Sequence, residues 1–187
     1  MSAAGASADA AAQFLADVRG RFEAYRRLGE GALAQLRDDE LFAALDAEAN
    51  PVAVIVRHLG GNLRSRFTDF LTRDGEKPDR DRDREFELEP AVSAADVRRW
   101  WDDGWACLFV ALDALGPADV LRTVTIRGEP HTVLQALHRS TTHVAYHVGQ
   151  IVLLARHARG AEWQSLSVPR GQSRAFNAEM ARRHGGG

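Results

Sequence analysis

Apolar residues recur every three or four positions along four long stretches of the chain, and no other feature restricts the fold as strongly. This spacing puts the apolar side chains on one face of an α-helix, which must then pack against a partner. In the first stretch, Phe14, Val18 and Phe22 follow this pattern. Together the signals predict helices over 8–36, 51–71, 93–115, 133–159 and 173–183 and a β-hairpin over 123–132. We therefore predict an all-α bundle with a short β-hairpin and a short C-terminal helix docked on it.

The predicted helix ends depend on residues that favour particular backbone conformations. Asn50 can cap free N–H groups, and Pro51 suits the first position of a helix. Ser93 and Asp96 have approximately the spacing and residue types of a capping box, which predicts the start of the third helix. Gly160 ends the fourth helix, because glycine readily adopts the conformations that follow a helix.

Length and charge narrow the class of protein further. The 187 residues suit a single domain over 1–187, with disordered ends at 1–9 and 184–187. The formal net charge of −2 gives no basic surplus, so we expect neither a nucleic-acid partner nor an anionic membrane partner. No apolar run approaches the ~18 residues of a membrane span, and the N-terminus lacks the pattern of a secretory signal. With a single cysteine, Cys107, these features predict a cytoplasmic protein.

Residues 73–90 are predicted to form a charged connector between the second and third helices. Its eight acidic and five basic residues are interspersed, and the two prolines, Pro78 and Pro90, disfavour a helix. Loops of this length are uncommon in compact domains and are usually functional covers or disordered links. The composition therefore leaves two alternatives open, a solvated self-paired loop and an ordered lid that contacts a substrate.

His143 and His147 lie four residues apart in the predicted fourth helix, so both imidazoles project from one face about one turn apart. Ser140 and Gln150 extend this polar stripe on an otherwise apolar helix. Buried polar groups need partners, and neutral imidazole is a good ligand for zinc, nickel, copper and iron. For the pair alone, two solvated histidines on a surface helix are the more common explanation.

His58 is the natural third ligand, because it lies in the middle of the apolar second helix, with Asn62 one turn further on. A lone histidine there is more often a satisfied core residue, yet bundle cores are where facing helices assemble metal sites. Val144 occupies the position of the glutamate in a His-Glu-x-x-His protease, which excludes that class. Three histidines alone would leave one coordination position for water or substrate, as in catalytic zinc sites.

Several segments resemble the DinB-like superfamily of metalloenzymes, also called DinB/YfiT-like. His58 on a second helix and the run His-Val-Ala-Tyr-His-Val-Gly-Gln-Ile at 143–151 on a later helix resemble its motifs. The likeness is closer to one branch described as a domain of unknown function. It spans about residues 10 to 183 and includes the segments 50–63, 66–72, 74–78, 82–83, 85–86 and 163–171.

The resemblance implies a DinB-like four-helix bundle with a long crossover connection, usually dimeric. It also implies that His58, His143 and His147 hold a divalent metal ion facing a pocket, and that 73–90 is ordered near this site. Zinc or nickel is the favoured ion, with iron or manganese as alternatives. Relatives include metal-dependent thiol transferases and a mycothiol-dependent isomerase, so a low-molecular-weight thiol is a substrate class by analogy only.

Further residues are candidates for a substrate site, with solvated ion pairs as the alternative explanation. Tyr146, Asp69 and Glu85 are candidate acids or bases, although Tyr146 lies one residue from His147 and so points roughly 100° away around the helix. The candidate substrate contacts are Arg66, Arg82, Asp83, Asn62 and Gln150.

Three functions are compatible with the sequence. The first is a metal-dependent transferase or hydrolase that acts on a small-molecule substrate. The second is a non-catalytic, homodimeric protein that binds a metal or small ligand. The third is a structural relic whose site is empty.

Overall fold

The computed structural model describes residues 3–184, which are mostly helical with one small antiparallel hairpin, as predicted. The helices are α1 (Ala3–Leu33), α2 (Val52–Phe67), α3 (Ala94–Asp113), α4 (Val133–Arg159) and α5 (Ser173–His184), and the strands are β1 (Thr123–Ile126) and β2 (Glu129–Thr132). Within 3–184, no helix has both the length and the apolar character that crossing a membrane requires.

The predicted disorder at 1–9 and 184–187 concerns residues that lie partly outside the described range. Within that range α1 already begins at Ala3, five residues before the predicted start, and it ends at Leu33. The chain leaves the helix three residues earlier than the apolar spacing indicated.

The start of α2 differs from the prediction. Pro51, at φ −67° and ψ 165°, is the residue before the helix, and no side chain caps the first turn. The prediction that Asn50 caps this helix is therefore wrong, because the extended Pro51 separates it from the first helical residue. The helix also ends at Phe67 rather than near Leu71. Asp69 has a φ of 50°, in the left-handed region that a continuing right-handed helix cannot include.

The predicted signals for α3 and α4 are confirmed. The Ser93 hydroxyl accepts a hydrogen bond from the Asp96 backbone N–H, and the Asp96 carboxylate accepts one from the Ser93 N–H at 2.9 Å. Gly160 follows α4 with a φ of 50°. These local signals fix where both helices begin or end.

The hairpin also forms where the alternation predicts it, with Thr123 opposite Thr132 and Ile126 opposite Glu129. Arg127 and Gly128 form the two-residue turn, and both have positive φ, 56° and 74°. Positive φ at both positions gives the twist that suits a two-residue hairpin. The hairpin packs against the start of α4.

The helices α1 to α4 enclose a common core. α2 packs most closely on α3, α1 packs on α4, and α2 also contacts α4. Phe22 of α1, Leu63 of α2, Trp105 of α3 and Ile151 of α4 are fully buried in this core. The α2–α4 contact brings together the helix that carries His58 and the helix that carries His143 and His147.

The prediction that α5 docks on the bundle is wrong. None of its residues is buried, and Phe176 is 45% exposed. Phe176 and Met180 are its only large apolar residues, too few to form a face that would hold the helix against the core.

Gly60 and Gly104 allow α2 and α3 to approach closely. A Cβ on Gly104 would lie 2.7 Å from the Cα of Gly60, and one on Gly60 would clash with the backbone carbonyl of Trp100.

We expect Gly60→Ala to lower the free energy of unfolding by about 1–3 kcal/mol in urea denaturation, because backbone atoms cannot swing aside. Gly20→Ala is the control, since its Cβ would meet nothing within 4 Å, and we expect it to stabilise by up to about 1 kcal/mol. Wild-type stability of Gly60→Ala would contradict this close approach.

The connector is tied to the hairpin turn through Asp74. Its carboxylate accepts hydrogen bonds from the backbone N–H groups of Glu76 at 2.7 Å and of Arg127 and Gly128 at 2.8 Å each. The bond from Glu76 is the largest cause, and together these bonds lower the pKa of Asp74 from 3.8 to about 2. The carboxylate thus holds the connector against the hairpin at neutral pH.

Asp74→Ala is expected to reduce the free energy of unfolding by about 1–2 kcal/mol at pH 7, because three backbone donors lose their acceptor. The pKa of Asp74 is lower in the folded chain, so its stabilisation is present above about pH 4 and is lost as the pH falls through about 2. Urea denaturation from pH 7 downward should therefore show the two proteins converging in stability. Asp103→Ala, an exposed residue without an ion pair among the described residues, should change stability by less than about 0.5 kcal/mol. A gap between wild type and Asp74→Ala that widens in acid would contradict this account.

Candidate metal centre

The structure brings together the three histidines that the sequence singled out. His58 of α2 and His143 and His147 of α4 each offer one ring nitrogen, and these atoms all lie within 4.8 Å of one another. The Nε2 atoms of His58 and His143 are 3.3 Å apart. Two imidazole nitrogens bound to one tetrahedral zinc ion lie about 3.3 Å apart, given Zn–N distances of about 2.0–2.1 Å. The spacing of this pair thus suits a shared ion.

Two of the rings are oriented by hydrogen bonds from their Nδ1 atoms. His58 Nδ1 donates to Glu85 Oε2 at 2.9 Å, and His147 Nδ1 donates to Gln150 Oε1 at 2.8 Å. A proton on Nδ1 leaves the lone pair on Nε2, the tautomer that a metal ligand needs. Carboxylate and amide partners of this kind commonly orient metal-binding histidines.

Glu85 is itself held by Arg80 from the connector. The guanidinium donates to both carboxylate oxygens at 2.8 Å, and the two side chains are only 6% and 9% exposed. Burial raises the pKa of Glu85, but the hydrogen bonds from His58 and Arg80 outweigh it, so the pKa is lowered. Glu85 is therefore an engaged carboxylate that orients His58, rather than a free base.

Burial keeps the α4 histidines neutral. Desolvation is the largest cause that lowers the pKa of His143 to about 3, followed by the neighbouring His147 and His58. The pKa of His147 is also lowered, chiefly by burial. Within the described residues, His143 Nδ1 is buried without a hydrogen-bond partner. Neutral imidazoles at pH 7 are available as ligands.

A cavity of about 440 Å³ opens beside the cluster and is lined in part by His58 and His143. Four further predicted residues line it, namely Asn62, Arg66, Arg82 and Tyr146. Gln150 does not line the cavity; it donates from Nε2 to the Tyr146 hydroxyl at 3.2 Å. The Tyr146 ring lies 4.9 Å from the His147 ring and is largely exposed. Tyr146 therefore reaches the cavity although its side chain leaves α4 on a different face from the histidines.

Asp69 lies apart from this cavity. It follows the end of α2 and borders a separate apolar groove with Cys107 and Val110. Its carboxylate is 3.8 Å from Arg73 and about half exposed. Asp83 does not line the cavity either, and its side chain is 95% exposed. Asp69 was predicted by extending the second helix beyond Phe67, whereas Asp83 was predicted from the resemblance of the connector to a family segment.

Several basic residues of the site were not predicted from the sequence. Arg80, Arg127 and Arg139 line the cavity together with the predicted Arg66 and Arg82. Arg139 could have been found, because it lies four residues before His143 and therefore shares its helix face. Nothing in the alternating charges around Arg80 distinguishes it from its neighbours.

The fold and site define a helical domain with a partly buried three-histidine cluster beside an arginine-lined cavity. Residues 9–172 match the family described as Protein of unknown function (DUF1572), and the chain belongs to that family. No curated protein and no solved structure matches the chain. The family agrees with the expected domain of unknown function, whereas the DinB-like superfamily stays a prediction.

Proposed function

We propose that His58, His143 and His147 bind one divalent metal ion, and that the protein is a metal-dependent transferase or hydrolase of the DinB-like type. Zinc or nickel suits three imidazoles best, with iron or manganese as alternatives. The convergence of three ring nitrogens within 4.8 Å is the observation on which the proposal depends.

The outer hydrogen bonds support a cation more than a simple histidine cluster. Glu85 and Gln150 accept the Nδ1 protons of His58 and His147, so each Nε2 carries a lone pair that can bind a cation. His58 Nε2 lies 3.3 Å from His143 Nε2, a separation that fits either a hydrogen bond between the two rings or a shared ion. A cation shared with His143 would satisfy these lone pairs together.

Three protein ligands leave a position open. Within the described residues, the cluster contains no further histidine, cysteine or carboxylate ligand. An ion held by these residues would lower the pKa of a bound water or hold a thiolate as a nucleophile. Tyr146 is the one candidate acid or base that lines the cavity, and its hydroxyl is fixed by the hydrogen bond from Gln150. We assign proton transfer to Tyr146 and substrate contacts to Asn62, Arg66 and Arg82.

Turnover assays test the catalytic part of the proposal. We would compare untagged protein loaded with zinc or nickel and the EDTA-treated protein, using simple amides and esters and conjugates of bacillithiol, mycothiol and glutathione. We expect metal-dependent turnover of at least one class, reduced about 10²-fold or more by Tyr146→Phe without loss of metal. A loaded protein that turns over none of these classes would contradict the enzyme proposal.

The second candidate function is a non-catalytic protein that binds a metal or a small ligand as a dimer. It is favoured by Glu85, whose two oxygens are engaged by Arg80 and His58. It is also favoured by the cavity lining, which contains no carboxylate within residues 3–184. Light scattering across a concentration series tests the dimer. A monomer mass at every concentration would contradict it.

A further inference from the structure

The cavity beside the histidines has a strongly basic wall. Among the residues that the structure describes, its lining includes no aspartate or glutamate and five arginines, namely Arg66, Arg80, Arg82, Arg127 and Arg139. A concave surface of one charge concentrates ligands of the opposite charge. The positive charge available to a ligand depends on which of these guanidinium groups already pair with carboxylates of the protein.

Three of the five are committed to carboxylates behind the cavity wall. Arg80 donates to both oxygens of Glu85 at 2.8 Å and, at the longer distance of 3.4 Å, to Glu76. Glu76 accepts from Arg66 and from Arg127, each at 3.0 Å. Two carboxylates thus hold three arginines, so this part of the wall keeps a surplus of positive charge.

Arg82 is held beside the histidines but is not neutralised there. Its guanidinium lies 5.0 Å from the centre of the Phe86 ring, and that ring lies 4.8 Å from the His58 ring. The nearest carboxylate belongs to Asp83, at 3.9 Å and 95% exposed, which is a weak solvated contact. Stacking on Phe86 therefore positions a guanidinium at the histidine cluster.

Arg139 and Ser140 complete the wall from α4. Among the described residues, no carboxylate lies within 4.0 Å of Arg139, although it lines the cavity one turn before His143. The neighbouring Ser140 is 7% exposed and also lines the cavity, and within the same range its buried hydroxyl has no hydrogen-bond partner. A buried hydroxyl without a partner points to a ligand that supplies one.

We propose that this cavity binds the carboxylate or phosphate group of a small anionic substrate, held by Arg139 and Arg82 with a hydrogen bond from Ser140. Arginine presents paired donors that match either oxyanion. That the bound anion is a substrate rests on the proposed function. The cavity volume of about 440 Å³ suits a small molecule. The other end of the substrate would face His58 and His143.

Titration calorimetry with inorganic phosphate and with malonate, at constant ionic strength, tests this site and separates the two oxyanions. We would use the untagged protein both as purified and after EDTA treatment. We expect saturable binding of at least one probe, weakened at least tenfold by Arg139→Gln and severalfold by Arg82→Gln. Arg156→Gln removes the same charge from an exposed position of α4 outside the cavity and should leave binding unchanged within twofold.

Failure of this inference is distinguishable from failure of the metal proposal. Absence of saturable binding for both probes would overturn the anion site, as would an equal loss of affinity in Arg139→Gln and Arg156→Gln. Saturable anion binding by wild-type protein that takes up no metal under metal-replete conditions would support the anion site and contradict the metal proposal. Stoichiometric metal binding without binding of phosphate or malonate would support the metal proposal and contradict the anion site.

Discussion

Replacing Glu85 with glutamine is expected to lower the free energy of unfolding by about 3 kcal/mol, one of the largest stability effects that we predict for a single substitution. The side chains of Glu85 and Arg80 are 9% and 6% exposed, so the variant removes the closer counter-charge of a buried guanidinium and leaves it Glu76 at 3.4 Å. His58 Nδ1 also loses its charged acceptor. Urea denaturation monitored by tryptophan fluorescence gives the magnitude.

A double-mutant cycle separates the ion pair from general packing damage. Arg80→Met and Glu85→Gln should each lower the free energy of unfolding. The double variant should lose about 0.5–3 kcal/mol less than the sum of the two single losses, because neither partner is then left facing the site of the other unpaired. The Arg98–Asp38 pair is the matched control, with side chains 51% and 72% exposed, and Arg98→Met should cost less than about 1 kcal/mol. Additive effects at Arg80 and Glu85, or a cost no larger than that of Arg98→Met, would contradict a structural role for this pair.

Removing any one of the three histidines is expected to weaken zinc or nickel binding on the order of 100-fold or more. Each imidazole supplies a substantial share of the binding free energy of a site with few ligands. We therefore expect about one equivalent of metal in untagged wild-type protein by elemental analysis. His58→Ala, His143→Ala and His147→Ala should each retain little metal after dialysis.

His138→Ala is the matched control, because His138 is an exposed histidine of the same helix outside the cluster. It should keep the wild-type metal content. Circular dichroism of each variant distinguishes loss of a ligand from loss of the fold. Less than stoichiometric metal in wild-type protein under metal-replete conditions, or equal loss in His138→Ala, would contradict the site.

Periodicity made most of the fold predictable. Apolar spacing located α1 to α4, and β-branched alternation around Arg127 and Gly128 located the hairpin, because both signals depend on neighbours close in sequence. The end of α2 was not predictable in this way. The apolar pattern continues through Phe70, whereas the chain leaves the helix at Phe67 and reverses at Asp69 with a φ of 50°.

The histidines were predictable but their surroundings were only partly so. His143 and His147 share a face through local spacing, whereas the pairing of His58 with Glu85 depends on how the connector folds back on α2. The connector alternates similar charges, so the sequence does not indicate that Arg80 turns inward. Gly61 offers a hint, since a Cβ at that position would clash with the Glu85 carboxylate.

Diffraction data collected at the zinc edge, from crystals of untagged protein grown with zinc, test the central claim most directly. We predict a single anomalous peak about 2.0–2.1 Å from one ring nitrogen each of His58, His143 and His147, with the remaining coordination position toward the cavity. A structure in which these three rings face different directions, with the anomalous signal elsewhere or absent, would contradict it.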